Sequence, residues 1–175
     1  MSADELFDII DDATGEVIGT APRKRCHGDP SLIHRSVHIV VFNTAGQILL
    51  QKRNLHKDIQ PGKWDTAVGG HLDSGETYLD AAKREFGEEL GIPLPGELKE
   101  LFAYKIRNEI ESENTRVFGV KLAGPFAFQK SEIDTVRFFT AAELADEKWR
   151  KEFTPNLLAE LEDLKKYGFL SGEKK

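Results

Sequence analysis

The chain holds a single cysteine, Cys26, among its 175 residues. One thiol can neither close an internal disulfide nor build a cysteine-ligated zinc site, which excludes both as frameworks for the fold. So little cysteine fits a reducing compartment, and a cytoplasmic setting is expected. Long apolar runs are also missing. None approaches the roughly 18–20 residues needed to span a bilayer. The opening residues, Met1 to Leu6, lack the basic-then-apolar pattern of a secretory leader. Positive charge is in deficit, with 30 Asp and Glu against 24 Lys and Arg and a net charge of −6. No nucleic-acid or membrane partner is expected on that balance, although a local basic pocket for a small anion stays open. Internal repeats and low-complexity tracts are absent too. What is present is a globular balance of 39% hydrophobic and 31% charged residues, in a chain of one domain's length.

Turn signals and hydrophobic patterning divide the chain. Leu6 to Thr20 reads as a hairpin around Asp12-Ala13-Thr14-Gly15. A loop with Pro22, Gly28 and Pro30 follows. Ser36 to Asn43 is a buried strand, Thr44-Ala45-Gly46 turns the chain, and Gln47 to Arg53 returns. Trp64 to Val68 reads as one short strand, and Gly69-Gly70 and Asp73-Ser74-Gly75 as a loop before a helix over Thr77 to Leu90. Gly91 and Pro93 stop that helix, and Leu79, Ala82, Phe86 and Leu90 are its expected core face. Strands are expected near Leu98–Arg107, Arg116–Leu122 and Thr135–Phe139, with a short helical stretch ending at Leu144. A last helix has Thr154 as N-cap, Pro155 in its first turn, a stripe of Leu157, Leu158, Leu161 and Leu164, and Gly168 as its stop. A frayed tail is expected from Ser171 to Lys175. Strands outnumber helices without alternating regularly, which points to a mixed sheet packed between helices.

The chemistry is concentrated in Gly70 to Ile92. Glu85, Glu88 and Glu89 lie at i, i+3 and i+4 and share one helical face. Like charges so placed repel by a few tenths of a kcal/mol per pair, and the helix dipole disfavours anions in a last turn. The trio calls for a counter-charge, from basic side chains or from a divalent metal. Oxygen ligands without histidine or thiolate suit Mg²⁺, with Mn²⁺ as the alternative.

With their neighbours these residues fill every specified position of the Nudix hydrolase signature: Gly70, Glu76, Arg84, Glu85, Phe86, Glu88, Glu89, Gly91 and Ile92. The resemblance extends to Pro61-Gly62-Lys63-Trp64, to Leu49–Arg53 and to Val136–Phe139. The N-terminal hairpin with His34-Arg35 resembles the branch nearest the isopentenyl-diphosphate isomerases. The resemblance implies an α/β fold, an α/β/α sandwich around a mixed sheet with an N-terminal hairpin extension. It implies residues 1–35 packed on a Nudix domain at 36–168, followed by a tail at 169–175.

By the same resemblance, Glu85, Glu88, Glu89 and the carbonyl of Gly70 hold metal, and Glu76 and Arg84 orient those carboxylates. Glu132 is the best-placed distal acid. Glu85, Glu88 and Glu132 are the candidate proton acceptors. Arg53 and Lys63 are candidate diphosphate contacts. The Glu109, Glu111 and Glu113 cluster is read as a solvated loop, and His34, His38 and His56 as structural. Trp64 is read as core and His71 as a loop cap. The implied reaction is Mg²⁺-dependent hydrolysis of a diphosphate linkage in a nucleotide-type small molecule. A non-catalytic ligand-binding module is the alternative, and isomerase activity the remoter one, because Gly69 stands where the isomerases carry a cysteine and Cys26 does not match. A homodimer is left open.

Overall fold

Strand β3 (Ile33–Phe42) divides the molecule because its apolar side chains face both ways. Val37, Ile39 and Val41 join one core with Leu49, Ala81, Ala82, Phe86 and Leu90. Val40 points into the other, with Ile48, Leu50, Leu157, Leu161 and Leu164. The first core lies under helix α2 (Tyr78–Leu90) and the second under helix α5 (Pro155–Lys166), so the sheet is sandwiched between helices. The computed structural model describes residues 5–57 and 59–170. The expected frayed tail from Ser171 lies outside them.

The chain enters through the hairpin β1 (Leu6–Ile10) and β2 (Val17–Pro22), which forms its own two-stranded sheet, and a short helix, α1 (Arg23–Cys26). The main sheet has β4 (Ile48–Arg53), β5 (Trp64–Thr66), β6 (Val68–His71), β7 (Lys99–Arg107), β8 (Ser112–Lys121) and β9 (Ile133–Phe139) beside β3. Its order is β5-β4-β3-β8-β7, with β6 on β3 and β9 on β4. The β3–β8 ladder is parallel and the others antiparallel, the mixed sheet expected. Helices α3 (Ala141–Ala145) and α4 (Glu147–Arg150) precede α5. Thr154 caps α5 by accepting from the Leu157 amide at 3.1 Å.

Four departures from the sequence reading shape the site. The single strand expected over Trp64–Val68 is two: β5 pairs with β4, β6 with β3, and Gly69 and Gly70 lie within β6 rather than in a loop. The break falls at Ala67, whose carbonyl is taken by the Gln51 side chain at 2.9 Å. Strand β3 begins at Ile33, not Ser36, and β8 at Ser112, not Arg116, because the two pair in register from Ile33↔Ser112 onward. Leu79 is 41% exposed. The buried stripe of α2 is Ala81, Ala82, Glu85, Phe86 and Leu90, so the helix is turned to bring a carboxylate onto its inner face. Leu158 is only partly buried, and Glu160, 1% exposed, lies among the buried leucines of α5 instead.

Candidate active site

Helix α2 presents its glutamates to β6 across one wall of a cleft of about 720 Å³. Gly70 makes the approach close enough: a Cβ on it would lie 2.2 Å from the Glu85 carboxyl carbon. Glu89 reaches the same strand, its Oε2 accepting from the Gly69 amide at 2.9 Å. Arg84 grips the assembly. Its Nε and Nη2 donate to the two oxygens of Glu76 at 2.7 and 2.9 Å, its Nη1 to Glu85 at 2.8 Å and Glu88 at 3.3 Å, and its Nη2 to the His71 carbonyl at 3.0 Å. Glu76 also accepts from the Asp73 amide at 2.9 Å, which folds the loop before the helix onto it. The three glutamates are not equivalent. Glu85 is buried and Glu89 half-buried, whereas the Glu88 side chain is 56% exposed.

One guanidinium does not balance these acids. Burial pushes Glu85 up to about 7 although Arg84 opposes it, and burial together with the Glu85 charge pushes Glu89 up to about 8. Such a set of close, desolvated carboxylate oxygens fits a hard divalent cation.

A second cluster stands at another side of the cleft. His27, His34, His71, Glu111 and Glu113 each offer a ligand atom, all within 4.8 Å of one another. His34 Nδ1 lies 3.1 Å from the Leu32 carbonyl and so carries the proton. Its Nε2 is buried without a hydrogen-bond partner, 3.5 Å from Glu113. His71 Nε2 lies 2.8 Å from Glu113 and 3.3 Å from His27 Nε2. Burial, with help from His71, lowers His27 to about 4. Burial opposes the Glu113 charge, but His71 and His34 hold it well below the usual carboxylate range, and partial burial with the Glu113 charge pushes the half-buried Glu111 beside it up to about 8. Three imidazole nitrogens and two acids gathered this closely suit a transition metal such as Mn²⁺ or Zn²⁺. The hairpin completes this cluster: Phe7 stacks on His71 at 4.8 Å and on His34 at 5.3 Å, and Asp8 accepts from the Ser74 hydroxyl and the Gly75 amide. The solvated-loop reading holds for the exposed Glu109 but is corrected for Glu111 and Glu113, because β8 starts early enough to carry Glu113 indoors. His34 and His71 likewise belong to this cluster rather than to the general scaffold.

At the third side, His38 is clamped. Its Nδ1 lies 2.5 Å from Glu160 Oε2, which also accepts from the Tyr104 hydroxyl at 3.2 Å, while Glu160 Oε1 accepts from Thr66 at 2.9 Å. Burial works against the imidazolium, but the Glu160 carboxylate outweighs it and holds His38 up at about 9.

Of the expected phosphate contacts, Arg53 lines the cleft, with its Nε on the Ile59 carbonyl at 3.0 Å. Lys63 does not. Its Nζ donates to the Lys151 carbonyl at 2.7 Å, on a surface outside the cleft, and it is removed from the site. Glu132 lines the cleft ahead of β9, ion-paired with Lys57, a base the sequence reading passed over. Trp64 is core, edge-on to Phe139 and Trp149.

The NUDIX domain family model matches residues 32–157. The chain belongs to the Nudix family. Its hydrolase relatives include an uncharacterized Nudix hydrolase of Yersinia pestis, 39% identical over 162 residues, 90% of this chain and 84% of that one. It is also similar to an isopentenyl-diphosphate Delta-isomerase of Streptomyces avermitilis, 32% identical over 155 residues, 85% and 78% of the two chains. Among solved structures, that of DR0079 from Deinococcus radiodurans superposes with a TM-score of 0.74 at 26% identity, covering 90% and 96%. In this Nudix chain the signature thus runs from the middle of β6, through the Arg84-clamped loop, to the turn after α2.

Proposed function

We propose that the chain is a Mg²⁺-dependent hydrolase of a diphosphate linkage in a small molecule, with a nucleotide as the substrate type. The observation that carries this reading is the pairing of Glu85 and Glu89 on the inner side of one helix, where Arg84 reaches Glu85 but Glu89 is held by the Gly69 amide and the Gln51 side chain, with no cation on it among the described residues. Glu85, Glu88, Glu89 and the Gly70 carbonyl are the residues that would hold the cation. When bound, it neutralises the diphosphate and lowers the pKa of a water.

The chain's own residues do the rest. Arg84, tied to Glu76, fixes the carboxylates in place before substrate arrives. Arg53 and Lys57, which line the same cleft, supply positive charge for phosphate oxygens. Glu88 is the acid best able to take the water's proton. Among the described residues its only partner is the 3.3 Å bond from Arg84, whereas Glu89 is committed to Gly69 and Glu132 to Lys57. The His27–His34–His71–Glu111–Glu113 cluster is a second centre, with a donor set for a transition metal.

The likeness to an isomerase favours a second reading, which the site opposes. Gly69 offers no thiol, and the chain's one cysteine is fully buried, with burial pushing its thiol up and away from the reactive thiolate. The test is a panel of nucleoside diphosphate derivatives and isopentenyl diphosphate, assayed with Mg²⁺ and Mn²⁺. Hydrolysis of a diphosphate that disappears in Glu89→Gln supports the proposal. Inactivity across the panel, or allylic product from isopentenyl diphosphate, overturns it.

A further inference from the structure

Along β3, His34, Ser36 and His38 alternate as polar residues, and Ser36 and His38 line the cleft. His34 serves the metal-type cluster and Ser36 bonds Thr115 at 2.6 Å. His38 has no such closed account. One ring nitrogen, Nδ1, is fully engaged by Glu160 and the Tyr104 hydroxyl, at 2.5 and 3.0 Å. The other, Nε2, has no hydrogen-bond partner among the described residues, and the ring lines the cleft. The clamp prevents the ring from turning away. Gly69 keeps it uncovered, since a Cβ there would stand 3.2 Å from Cδ2 and 3.5 Å from Nε2. A purely structural ion pair with Glu160 would need only Nδ1. Glu160 accepts from His38, Tyr104 and Thr66 and is held beside the ring by all three, and against the cost of burial its charge keeps both protons on His38 at neutral pH. Nε2–H is then a donor fixed in a cleft wall with nothing of the protein to receive it. Asp65, Thr66 and Gln51 line the same end, and none of them is apolar.

We propose that His38 is a specificity-determining residue: its Nε2–H bonds an oxygen on the group carried beyond the diphosphate, so that this end of the cleft takes a hydroxyl-bearing group and rejects a hydrocarbon one. This rests on the diphosphate reading of the cleft. A fixed donor discriminates because a hydrocarbon beside it leaves the N–H unpaired, whereas a hydroxyl accepts from it.

Two matched probes test this, ADP-ribose and the isopentyl ester of ADP, which differ only in the group beyond the diphosphate. In the Mg²⁺-loaded wild-type protein, the ratio of kcat/KM for ADP-ribose over the ester should fall by about 10- to 100-fold in His38→Leu/Glu160→Leu, through loss on ADP-ribose. The double variant removes the carboxylate that His38→Leu alone would strand. His38→Gln, which restores an N–H, should recover part of the ratio. An unchanged ratio overturns the inference while leaving hydrolase activity intact. Imidazole NMR reads the same point without turnover: the His38 Nε2 resonance should move on saturation with ADP-ribose and stay still with the ester. Saturation without movement, or no binding of ADP-ribose, overturns it. Should the wild type hydrolyse no diphosphate, the hydrolase reading falls on its own, and the resonance still decides the role of His38.

Discussion

Glu89, in the last turn of α2, accepts a hydrogen bond from the backbone amide of Gly69 in β6 at 2.9 Å. A carboxylate in a helical last turn has the dipole against it, and here it is drawn inward to a strand beside a second acid. The consequences can be measured.

The first concerns pH. Burial raises Glu85 from 4.5 to about 7 and Glu89 from 4.5 to about 8. Between those limits the folded state binds more protons than the unfolded one, so stability falls as pH rises. Metal-free protein should lose thermal stability between about pH 5 and pH 8.5, and Glu89→Gln should lose less. Mg²⁺ should raise Tm more at the upper end of that range than at the lower. Parallel melting curves in the wild type and Glu89→Gln would contradict this.

Gly70→Ala separates activity from stability. The added Cβ would sit 2.2 Å from the Glu85 carboxyl carbon, which Arg84 holds in place. The carboxylate must swing aside, at a cost of about 1–3 kcal/mol for overpacking. Activity should drop by about 100-fold or more, since misplacement of about 1 Å at a reacting centre costs on that order. Retained activity would show that Glu85 is not held where the account needs it.

Gly91 makes the complementary case. It ends α2 in a left-handed conformation, φ +66°, and a Cβ there would stand 2.0 Å from the Ala127 carbonyl oxygen. Gly91→Ala should destabilise by about 1–3 kcal/mol through strain alone, and more with the clash. Thermal melting checks this. A loss of only about 1–3 kcal/mol would mean that the segment around Ala127 yields freely, and an unchanged Tm would contradict the strain argument itself.

The histidine cluster predicts metal content. Protein dialysed against Mn²⁺ or Zn²⁺ should retain about one equivalent by elemental analysis, and His71→Asn/Glu113→Gln should lose it. Equal retention in both would remove the cluster as a metal site.

How much of this was legible varies with distance along the chain. The helix α2, its Thr77 cap and its Gly91 stop follow from local chemistry, and so does a mixed sheet between helices, but β6 does not, because Gly69-Gly70 reads locally as a loop and only pairing with β3 makes it a strand. The glutamate trio is local as well, within five residues, which is why spacing exposed it. His27, His34, His71 and Glu113 converge from four separate elements, so no spacing rule brings them together. One signal was available: the period-two run of polar residues at His34, Ser36 and His38 in a strand otherwise buried. Leu79 misled because helical spacing admits two adjacent stripes, and the packing of Ala81, Ala82 and Phe86 under β3 selects between them. Lys63 misled because a base near a turn reads the same whether its side chain faces the cleft or the Lys151 carbonyl.

The most direct test of the central claim is Mg²⁺ titration by calorimetry, in parallel with diphosphate hydrolysis, on the wild type and on Glu85→Gln/Glu89→Gln. The account predicts binding and turnover in the wild type, with both lost in the variant while its fold, read by circular dichroism, stays intact. Equal Mg²⁺ affinity and turnover in the two proteins would contradict it.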